Sequence, residues 1–325
     1  MRSGIRRILP ALTRIFFTTD VHGSDRCFRK FLNAAKVYKA GCLILGGDIT
    51  GKVLIPIVER EDGKYEAHVF GERSLFGKEK VEETRKRLQD AGQYSFVTTK
   101  AELAEIQGDK AREEAVFNGA MAEVLRSWMA LAQERLKETG AKCYVSPGND
   151  DKLEIDSALV DSGPFVNPED KAVELEGGFE MITLGTANPT PWKSPREVSE
   201  ERLGEMIERL ASQVNRPEDA IYNLHVPPMD TELDRAPAVS HDFNYVREGL
   251  GVKYIHAGSS AVRKAIEAHA PLLGLHGHIH ESKGFVRIGR TLCLNPGSEY
   301  ADGILRGALV NLEPGKVHDF MLTSG

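Results

Sequence analysis

The chain has 325 residues, of which 42 are basic, 48 are acidic and 41% are hydrophobic, and its formal net charge at pH 7 is −6. A globular chain of this size and composition buries a sizeable core without disulfide or zinc staples. The acidic balance and the lack of a long basic run argue against a nucleic-acid-binding surface, and no apolar run approaches the ~20 residues of a membrane span.

The N-terminal segment MRSGIRRILPALT is basic, but Pro10 interrupts its only short apolar run. It therefore lacks the apolar region of a signal peptide, and we expect residues 1–13 to be a ragged leader. No two cysteines form a CxxC pair, which favours buried free thiols in a reducing, cytoplasmic compartment at Cys27, Cys42, Cys143 and Cys293.

Short apolar runs rich in β-branched and aromatic residues recur along the chain, and several are continuously apolar, as in strands buried on both faces. Helix-like stretches at residues 26–39 and 261–268 lie between them. The capping-box pattern Ser194-Pro195-Arg196-Glu197 predicts that a further helix begins there. This alternation indicates an α/β protein, with predicted strands at residues 15–19, 42–45, 143–146, 181–184, 221–224, 272–275 and 292–294.

The segment between Asp48 and Asn149 is far more charged than its flanks. It opens with a predicted hairpin, LIPIVERE-DGK-YEAHVF, and continues as a long helix. We expect a single domain over residues 14–325, interrupted by a largely helical insertion at about residues 51–140. The helix is interpreted chiefly as core, although the insertion as a whole could overhang a site and select substrates. Its apolar stripe comprises Phe117, Met121, Val124, Trp128 and Leu131.

Five clusters of metal-binding side chains follow predicted strands, and their order is the most informative feature of the sequence. Groups at the carboxyl ends of strands meet at one edge of an α/β sheet, so distant clusters can form one site. Imidazole, carboxylate and amide ligands without thiolate suit two divalent or trivalent cations, such as Mn, Fe, Zn or Ni, with Mn favoured. The clusters contain Asp20 with His22, Asp48, Asn149, His225, and His278 with His280.

Two metal ions ~3.5–4 Å apart can share a bridging carboxylate and a bridging hydroxide and can neutralise phosphoryl oxygens. Hydrolysis of a phosphate ester is therefore the leading function. The segment GGDITGKV nearly spells the nucleotide-binding loop GxxxxGK[ST]. We reject that interpretation because Val53 has no hydroxyl for magnesium and Pro56 would interrupt the following helix.

The clusters in this order resemble the calcineurin-like metallophosphoesterases, whose pattern is D-x-H, GD, GN-H-[D/E], a lone H and GH-x-H. The resemblance covers roughly residues 14–300, apart from most of the insertion, and Asn295-Pro296-Gly297-Ser298 also fits it. It implies a four-layer αββα sandwich of two mixed sheets with a dinuclear site on one rim. By analogy, Asp48 would bridge a first metal held by Asp20, His22 and His280 and a second held by Asn149, His225 and His278.

Asp150 departs from the family pattern, because many members have a histidine there that is thought to protonate the leaving group. A carboxylate beside two cations stays ionised, so it makes a poor proton donor and repels a phosphomonoester dianion more than a diester anion. We therefore predict a phosphodiesterase that cleaves a phosphodiester or a pyrophosphate-type linkage, with Asp150 at the proton-donor position. Its substrate is expected to be small, such as a nucleotide or a nucleotide-linked lipid.

Two alternatives stay open. A phosphomonoesterase using the same site would need another acid, such as His276 or His256. A non-catalytic metal-binding scaffold, like one retromer subunit that shares the fold, is less favoured because all seven ligand positions hold competent residues. His276 is expected to support the site through a hydrogen bond. Asn188 and Trp192 could line the site, but loop stabilisation and packing are their default interpretations.

Overall fold

The computed structural model describes residues 12–325, so the predicted leader lies outside the described residues except for Leu12 and Thr13. The α-helices of this part of the chain are α1 (Asp25–Val37), α2 (Val81–Asp90), α3 (Lys100–Gly108), α4 (Lys110–Leu136), α5 (Glu200–Ala211) and α6 (Ser260–His269). Its strands are β1 (Thr13–Thr18), β2 (Cys42–Gly46), β3 (Val53–Glu59), β4 (Tyr65–Val69), β5 (Glu72–Phe76), β6 (Gln93–Thr99), β7 (Lys142–Ser146), β8 (Phe165–Val166), β9 (Ala172–Glu174), β10 (Glu180–Leu184), β11 (Ile221–Leu224), β12 (Arg235–Pro237), β13 (Arg247–Glu248), β14 (Gly251–Val252), β15 (Tyr254–His256), β16 (Leu273–Leu275), β17 (Gly284–Ile288), β18 (Thr291–Asn295), β19 (Arg306–Glu313) and β20 (Lys316–Ser324).

The protein is mixed α/β, as predicted, and its centre is formed by two six-stranded sheets. The first sheet has the order β20-β19-β1-β2-β7-β8, and the second has the order β17-β18-β16-β11-β10-β9. The inner strands β1, β2 and β7 run parallel, as do β10, β11, β16 and β18. Every residue of β2 and β18 is buried, which explains why these strands read as continuous apolar runs. All seven predicted strands are confirmed.

Both sheets contribute side chains to one core cluster, which includes Ile15 and Ile44 of the first sheet and Leu275 of the second. The opposite face of the first sheet packs with α1 and α4 in a separate cluster. The opposite face of the second sheet packs with α5 and α6 in another. Successive side chains of a strand alternate between faces, so most inner strands contribute to two of these cores.

The insertion contains both strands and helices. Its predicted hairpin is confirmed, because β3 and β4 pair antiparallel, and β5 and β6 extend the pair into a four-stranded sheet. The core interpretation of α4 is also confirmed. Trp128 is only 2% exposed, stacks on Phe28 with 4.1 Å between ring centroids, and donates a hydrogen bond to Asp25 at 3.0 Å. Three other residues of the predicted stripe, Phe117, Val124 and Leu131, are half-buried against the core formed by α1, α4 and the first sheet.

The helix predicted at Ser194 is wrong, since α5 begins at Glu200 with Ser199 as its N-cap. Glu197 does accept a hydrogen bond from the Ser194 amide at 3.0 Å, as a capping box requires. However, the backbone of Arg196 is held by other segments: its amide donates to Asn149 and its carbonyl accepts from Ala187. Pairing with these neighbouring segments replaces the first helical turn.

The four cysteines are buried and free, as predicted. Among the helices of residues 12–325, none combines the length and the apolar character needed to cross a lipid bilayer.

Candidate metal centre

The five predicted clusters lie at the carboxyl ends of neighbouring parallel strands. In the first sheet, β1, β2 and β7 lead into Asp20, Asp48 and Asn149. In the second sheet, β11 leads into His225 and β16 leads into His278. Parallel strands end at a common edge, so each sheet collects its own polar side chains there. Contacts between these two groups of side chains join them into a single cluster.

Asp20, His22 and His280 form one half of the cluster. His280 Nε2 lies 3.3 Å from Asp20 Oδ1 and 3.1 Å from His22 Nε2. One ligand atom from each of the three side chains lies within 4.8 Å of the others, so they could hold a metal ion. These are the three residues expected by analogy to share one metal.

Asp48 lies between the two halves of the cluster. Its Oδ2 is 3.7 Å from His22 Nε2, and its Oδ1 is 3.4 Å from His225 Nε2. With Asp20 and His225, Asp48 forms a second group that could hold an ion. Asn149 adjoins this group through His278, whose Nδ1 is 2.8 Å from Asn149 Oδ1. The structure thus brings all seven predicted ligands together.

Four of these residues have a positive φ angle, which is rare outside glycine. The angle is 52° at Asp20, 40° at His22, 48° at Asp48 and 68° at His278. Such conformations cost ~1–3 kcal/mol each and persist where the surroundings enforce them, often at functional sites. Here the Asp20 amide donates to the Gly47 carbonyl at 3.0 Å, and the His22 amide donates to the Asp48 carbonyl at 2.9 Å.

Glycines precede the ligands because two loops approach each other too closely for a side chain. A Cβ atom on Gly148 would collide with the backbone and carboxylate of Asp48. A Cβ atom on Gly277 would collide with Thr19 and with the carboxylate of Asp20. The glycines of the GN and GH motifs therefore allow Asp48 and Asp20 to lie beside the neighbouring loops.

The carboxylates and the imidazoles of the cluster shift one another's pKa values. Burial raises the pKa of Asp20, but His225 and His280 outweigh this effect and lower it to about 2. Burial likewise opposes ionisation of Asp48, yet contact with His225 holds its pKa well below the ordinary value. Burial lowers the pKa of His225, while Asp48 and Asp20 raise it to about 10.

The same residues fit metal ions as ligands. His225 Nε2 is buried without a hydrogen-bond partner, although it lies 3.4 Å from Asp48 Oδ1 and 3.8 Å from Asp20 Oδ1. Burial lowers the pKa of His22 and of His278 to about 4, so both imidazoles are neutral near pH 7, as metal coordination requires. Two ionised carboxylates with the neutral imidazoles of His22 and His278 are donors that suit first-row divalent cations, and a bound cation would replace the proton of His225.

Asp150 has two side-chain partners that the sequence did not reveal. Its carboxylate is paired with the Lys52 ammonium and accepts a hydrogen bond from the Ser194 hydroxyl. Burial lowers the pKa of Lys52, but Asp150 outweighs this effect and raises it overall. Lys52 therefore offsets the carboxylate charge that was expected to repel a phosphomonoester dianion. One oxygen of Asp150 also lies within 4.8 Å of His22 and Asp48 ligand atoms.

Asp151 supports the site and was missed in the sequence. This buried carboxylate accepts hydrogen bonds from the amides of Ile49 at 2.9 Å, Thr50 at 2.8 Å and Gly148 at 2.7 Å. It thereby fastens the loop of Asp48 to the loop of Asn149. The signal that could have revealed it is its position in the motif, where the family pattern has aspartate or glutamate.

His276 lies outside the cluster of ligands. It is buried, and its Nδ1 is 2.8 Å from the carbonyl oxygen of Leu224, the residue before His225. This contact agrees with the predicted supporting role. Burial lowers the pKa of His276 to about 4, which favours its neutral form near pH 7 and argues against it as the alternative proton donor.

A cavity of about 720 Å³ opens beside the cluster. Its lining combines polar residues, among them Lys52, Asp150 and His280, with apolar and aromatic residues such as Trp192 and Tyr245. Trp192 and Asn188 both line it. Trp192 is 59% exposed and stacks on Phe243 with 6.4 Å between ring centroids, so it packs against a neighbour while part of its ring stays open to solvent. Within the described chain, the insertion supplies only Lys52 to this lining, so the insertion does not overhang the cavity.

Comparison with known proteins identifies similar chains but no family. No family model matches this chain. The uncharacterized protein MJ1162 of Methanocaldococcus jannaschii is 31% identical over 152 residues, which are 46% of this chain and 61% of that protein. This chain therefore matches about three fifths of the length of that relative.

Solved structures show the fold alone. One crystal structure with 16% identity covers 96% of this chain and 99% of its own, with a TM-score of 0.58. The crystal structure of TT1561 of Thermus thermophilus is 14% identical, and the match covers 97% of this chain and 99% of TT1561 with a TM-score of 0.51. An archaeal phosphodiesterase covers 96% and 99% at 12% identity, but its TM-score of 0.32 is too low to support an argument.

Proposed function

We propose that this chain is a calcineurin-like metallophosphoesterase that hydrolyses a phosphodiester or a pyrophosphate-type linkage with two bound metal ions. The observation that carries the proposal is the convergence of seven side chains from two sheets, four of them on strained backbone. We also infer that the layers follow the order αββα, since each sheet packs with helices on one face and shares a core on the other. Residues 14–325 would form one domain, interrupted at about residues 51–140.

The proposed ligands divide between two ions. Asp20, His22 and His280 would hold the first, and Asp48 would bridge to the second, with manganese the favoured metal. When bound, the two cations would activate water and stabilise negative charge on the phosphoryl group. The second ion would be held by Asn149, His225 and His278.

The side chains around the ligands would position the substrate. Lys52 places an ammonium group beside Asp48 and Asp150, where it can bind a phosphoryl oxygen. The adjoining cavity has the volume of a small-molecule site, so it can receive one of the two ester groups of a diester. Its exposed Trp192 offers a ring face to an aromatic or nucleotide-like ester group.

A phosphomonoesterase is the second candidate. The observation that favours it is the Lys52–Asp150 ion pair, because a paired carboxylate repels a phosphomonoester dianion less than a free carboxylate does. The two candidates share every proposed metal ligand, so the choice between them depends on which ester is cleaved faster.

Manganese-loaded protein should be assayed on bis-p-nitrophenyl phosphate and on p-nitrophenyl phosphate under identical conditions. We expect the diester to be cleaved faster, and we expect Asp48→Asn to lower turnover at least about 100-fold because it removes the bridging carboxylate. Asp319→Asn is the matched control, since this aspartate is 58% exposed and lies in β20, away from the cavity.

Faster cleavage of the monoester would favour the second candidate. Absence of turnover on both esters, with manganese bound, would contradict the proposed function. Equal activity of Asp48→Asn and the wild type would show that the cluster is not the site of hydrolysis.

A further inference from the structure

A histidine–aspartate pair lies in the wall of the cavity, outside the proposed ligands. His256 Nδ1 is 2.7 Å from Asp234 Oδ1. The His256 side chain is 45% exposed, whereas Asp234 is completely buried. An exposed imidazole held by a buried carboxylate has one nitrogen fixed and leaves the other, Nε2, available to a ligand.

The position of Asp234 is determined by the surrounding backbone. Its Oδ2 accepts hydrogen bonds from the amides of Asp230 and Gly258, both at 3.1 Å, and its Oδ1 accepts one from Thr231 at 2.9 Å. Three amides and one imidazole therefore satisfy a carboxylate that is sealed from solvent. This network fixes the orientation of the His256 ring.

His256 lines the same cavity as the proposed ligands. His278, His280 and Asp150 belong to the same lining. Asp150 is occupied by Lys52 and Ser194, and His276 is buried, so neither supplies an exposed proton donor. Among the described residues that line the cavity, His256 is the histidine that is neither a proposed ligand nor adjacent to one.

We propose that the cavity receives the leaving group of the substrate and that His256, oriented by Asp234, donates the proton that this group needs. The inference rests on the proposed function. The proposed donor, His256, comes from β15. It would replace the histidine that many calcineurin-like metallophosphoesterases have at the position of Asp150.

The charges that face His256 favour its protonated form. The hydrogen bond to Asp234 raises the pKa of His256 above its ordinary value, with a further contribution from Asp230. Partial burial and Arg235 on the paired strand β12 act in the opposite direction, but the net change is upward. The upward shift of this pKa favours the protonated imidazole that a general acid needs.

The proposed step is balanced in atoms and electrons. Water supplies the oxygen of the new P–O bond and releases one proton to solvent. The ester P–O bond breaks, and its electron pair stays on the ester oxygen. His256 Nε2 gives its proton to that oxygen, so the alcohol leaves neutral, and the imidazole then regains a proton from solvent. The products are one phosphomonoester and one alcohol.

The test uses leaving groups of graded acidity. The substrates are methyl phosphate diesters of p-nitrophenol, phenol and p-methoxyphenol, assayed on the manganese-loaded full chain. A p-nitrophenolate leaves without protonation, whereas p-methoxyphenolate needs a donor. We expect His256→Ala to lower kcat/KM about 100-fold for the p-methoxyphenyl diester and less than about threefold for the p-nitrophenyl diester.

Two further variants exclude a structural effect. His256→Gln keeps an amide that can donate to Asp234 but has no titratable proton. Its kcat/KM should therefore fall for the same diesters as that of His256→Ala. His318→Gln is the matched control, because His318 lies on β20 outside the cavity lining, is 43% exposed and has its Nδ1 2.9 Å from Glu313 of β19. It should behave as the wild type on all three substrates.

An independent readout is the imidazole NMR signal of His256 in zinc-loaded protein, which should titrate above the ordinary histidine pKa in the wild type and lower in Asp234→Asn. Equal losses on all three diesters in both variants, or no loss, would overturn the inference while leaving the proposed function intact. A wild type that cleaves none of the three would overturn both.

Discussion

Lys52 and Asp150 form an ion pair beside the proposed ligands, although they are separated by 98 positions in the sequence. The sequence identified Asp150 as a departure from the family pattern, but it contained no sign of its partner. Ion pairs between distant residues depend on the tertiary fold, whereas motif spacing is local. The pair therefore changes the charge argument for diesters without changing the proposed ligands.

The effect of Lys52 on the preference between monoester and diester can be measured with the substitution Lys52→Gln. Without the ammonium, the Asp150 carboxylate faces the substrate unpaired, and it repels a dianion more than a monoanion. We expect kcat/KM to fall about tenfold for p-nitrophenyl phosphate and clearly less for bis-p-nitrophenyl phosphate.

Lys316→Gln is the control for this prediction, because Lys316 of the edge strand β20 is 61% exposed and forms an ion pair with Glu313 of β19 at 3.0 Å. It should leave both rates unchanged. If Lys52→Gln slows the two esters equally, the ion pair does not set the preference between them.

At the scale of elements, prediction succeeded where a pattern is decided by burial. The fully buried strands β2 and β18 and the buried side of α4 were readable because apolar periodicity reflects the core directly. The helix expected at Ser194 failed for the opposite reason. Its capping contact forms, but Arg196 pairs with Asn149 and Ala187, and these long-range backbone hydrogen bonds override the local signal.

The two tryptophans of the chain allow a test of the α4 packing. Trp128 is 2% exposed and Trp192 is 59% exposed. We expect Trp128→Ala to lower the free energy of unfolding by about 3–5 kcal/mol, because it leaves a cavity against Phe28 and removes a hydrogen bond to Asp25.

Trp192→Ala, in contrast, should change the free energy of unfolding by less than about 0.5 kcal/mol, as exposed substitutions do. Urea denaturation of both variants beside the wild type measures the difference. Similar losses in the two variants would contradict the assignment of α4 to the core.

At the scale of the whole molecule, the order of the five clusters predicted which residues meet, and the alternation of elements predicted the mixed α/β fold. The cavity was not predictable in the same way. Its apolar lining comes from irregular segments around Trp192 and Tyr245 and from β12 and β15, which are too short to show a periodic pattern. The hydrogen bond between His256 of β15 and Asp234, the residue before β12, joins residues 22 positions apart, so only the folded chain reveals it.

We propose that the cluster at the edge of the two sheets binds two metal ions through a shared Asp48. The most direct measurement is the number of manganese ions retained per chain after saturation and gel filtration, determined by mass spectrometry of the metal for the wild type and for Asp48→Asn. We predict two ions per wild-type chain and at most one in the variant. A wild type that retains no metal, or a variant that retains two ions, would contradict the account.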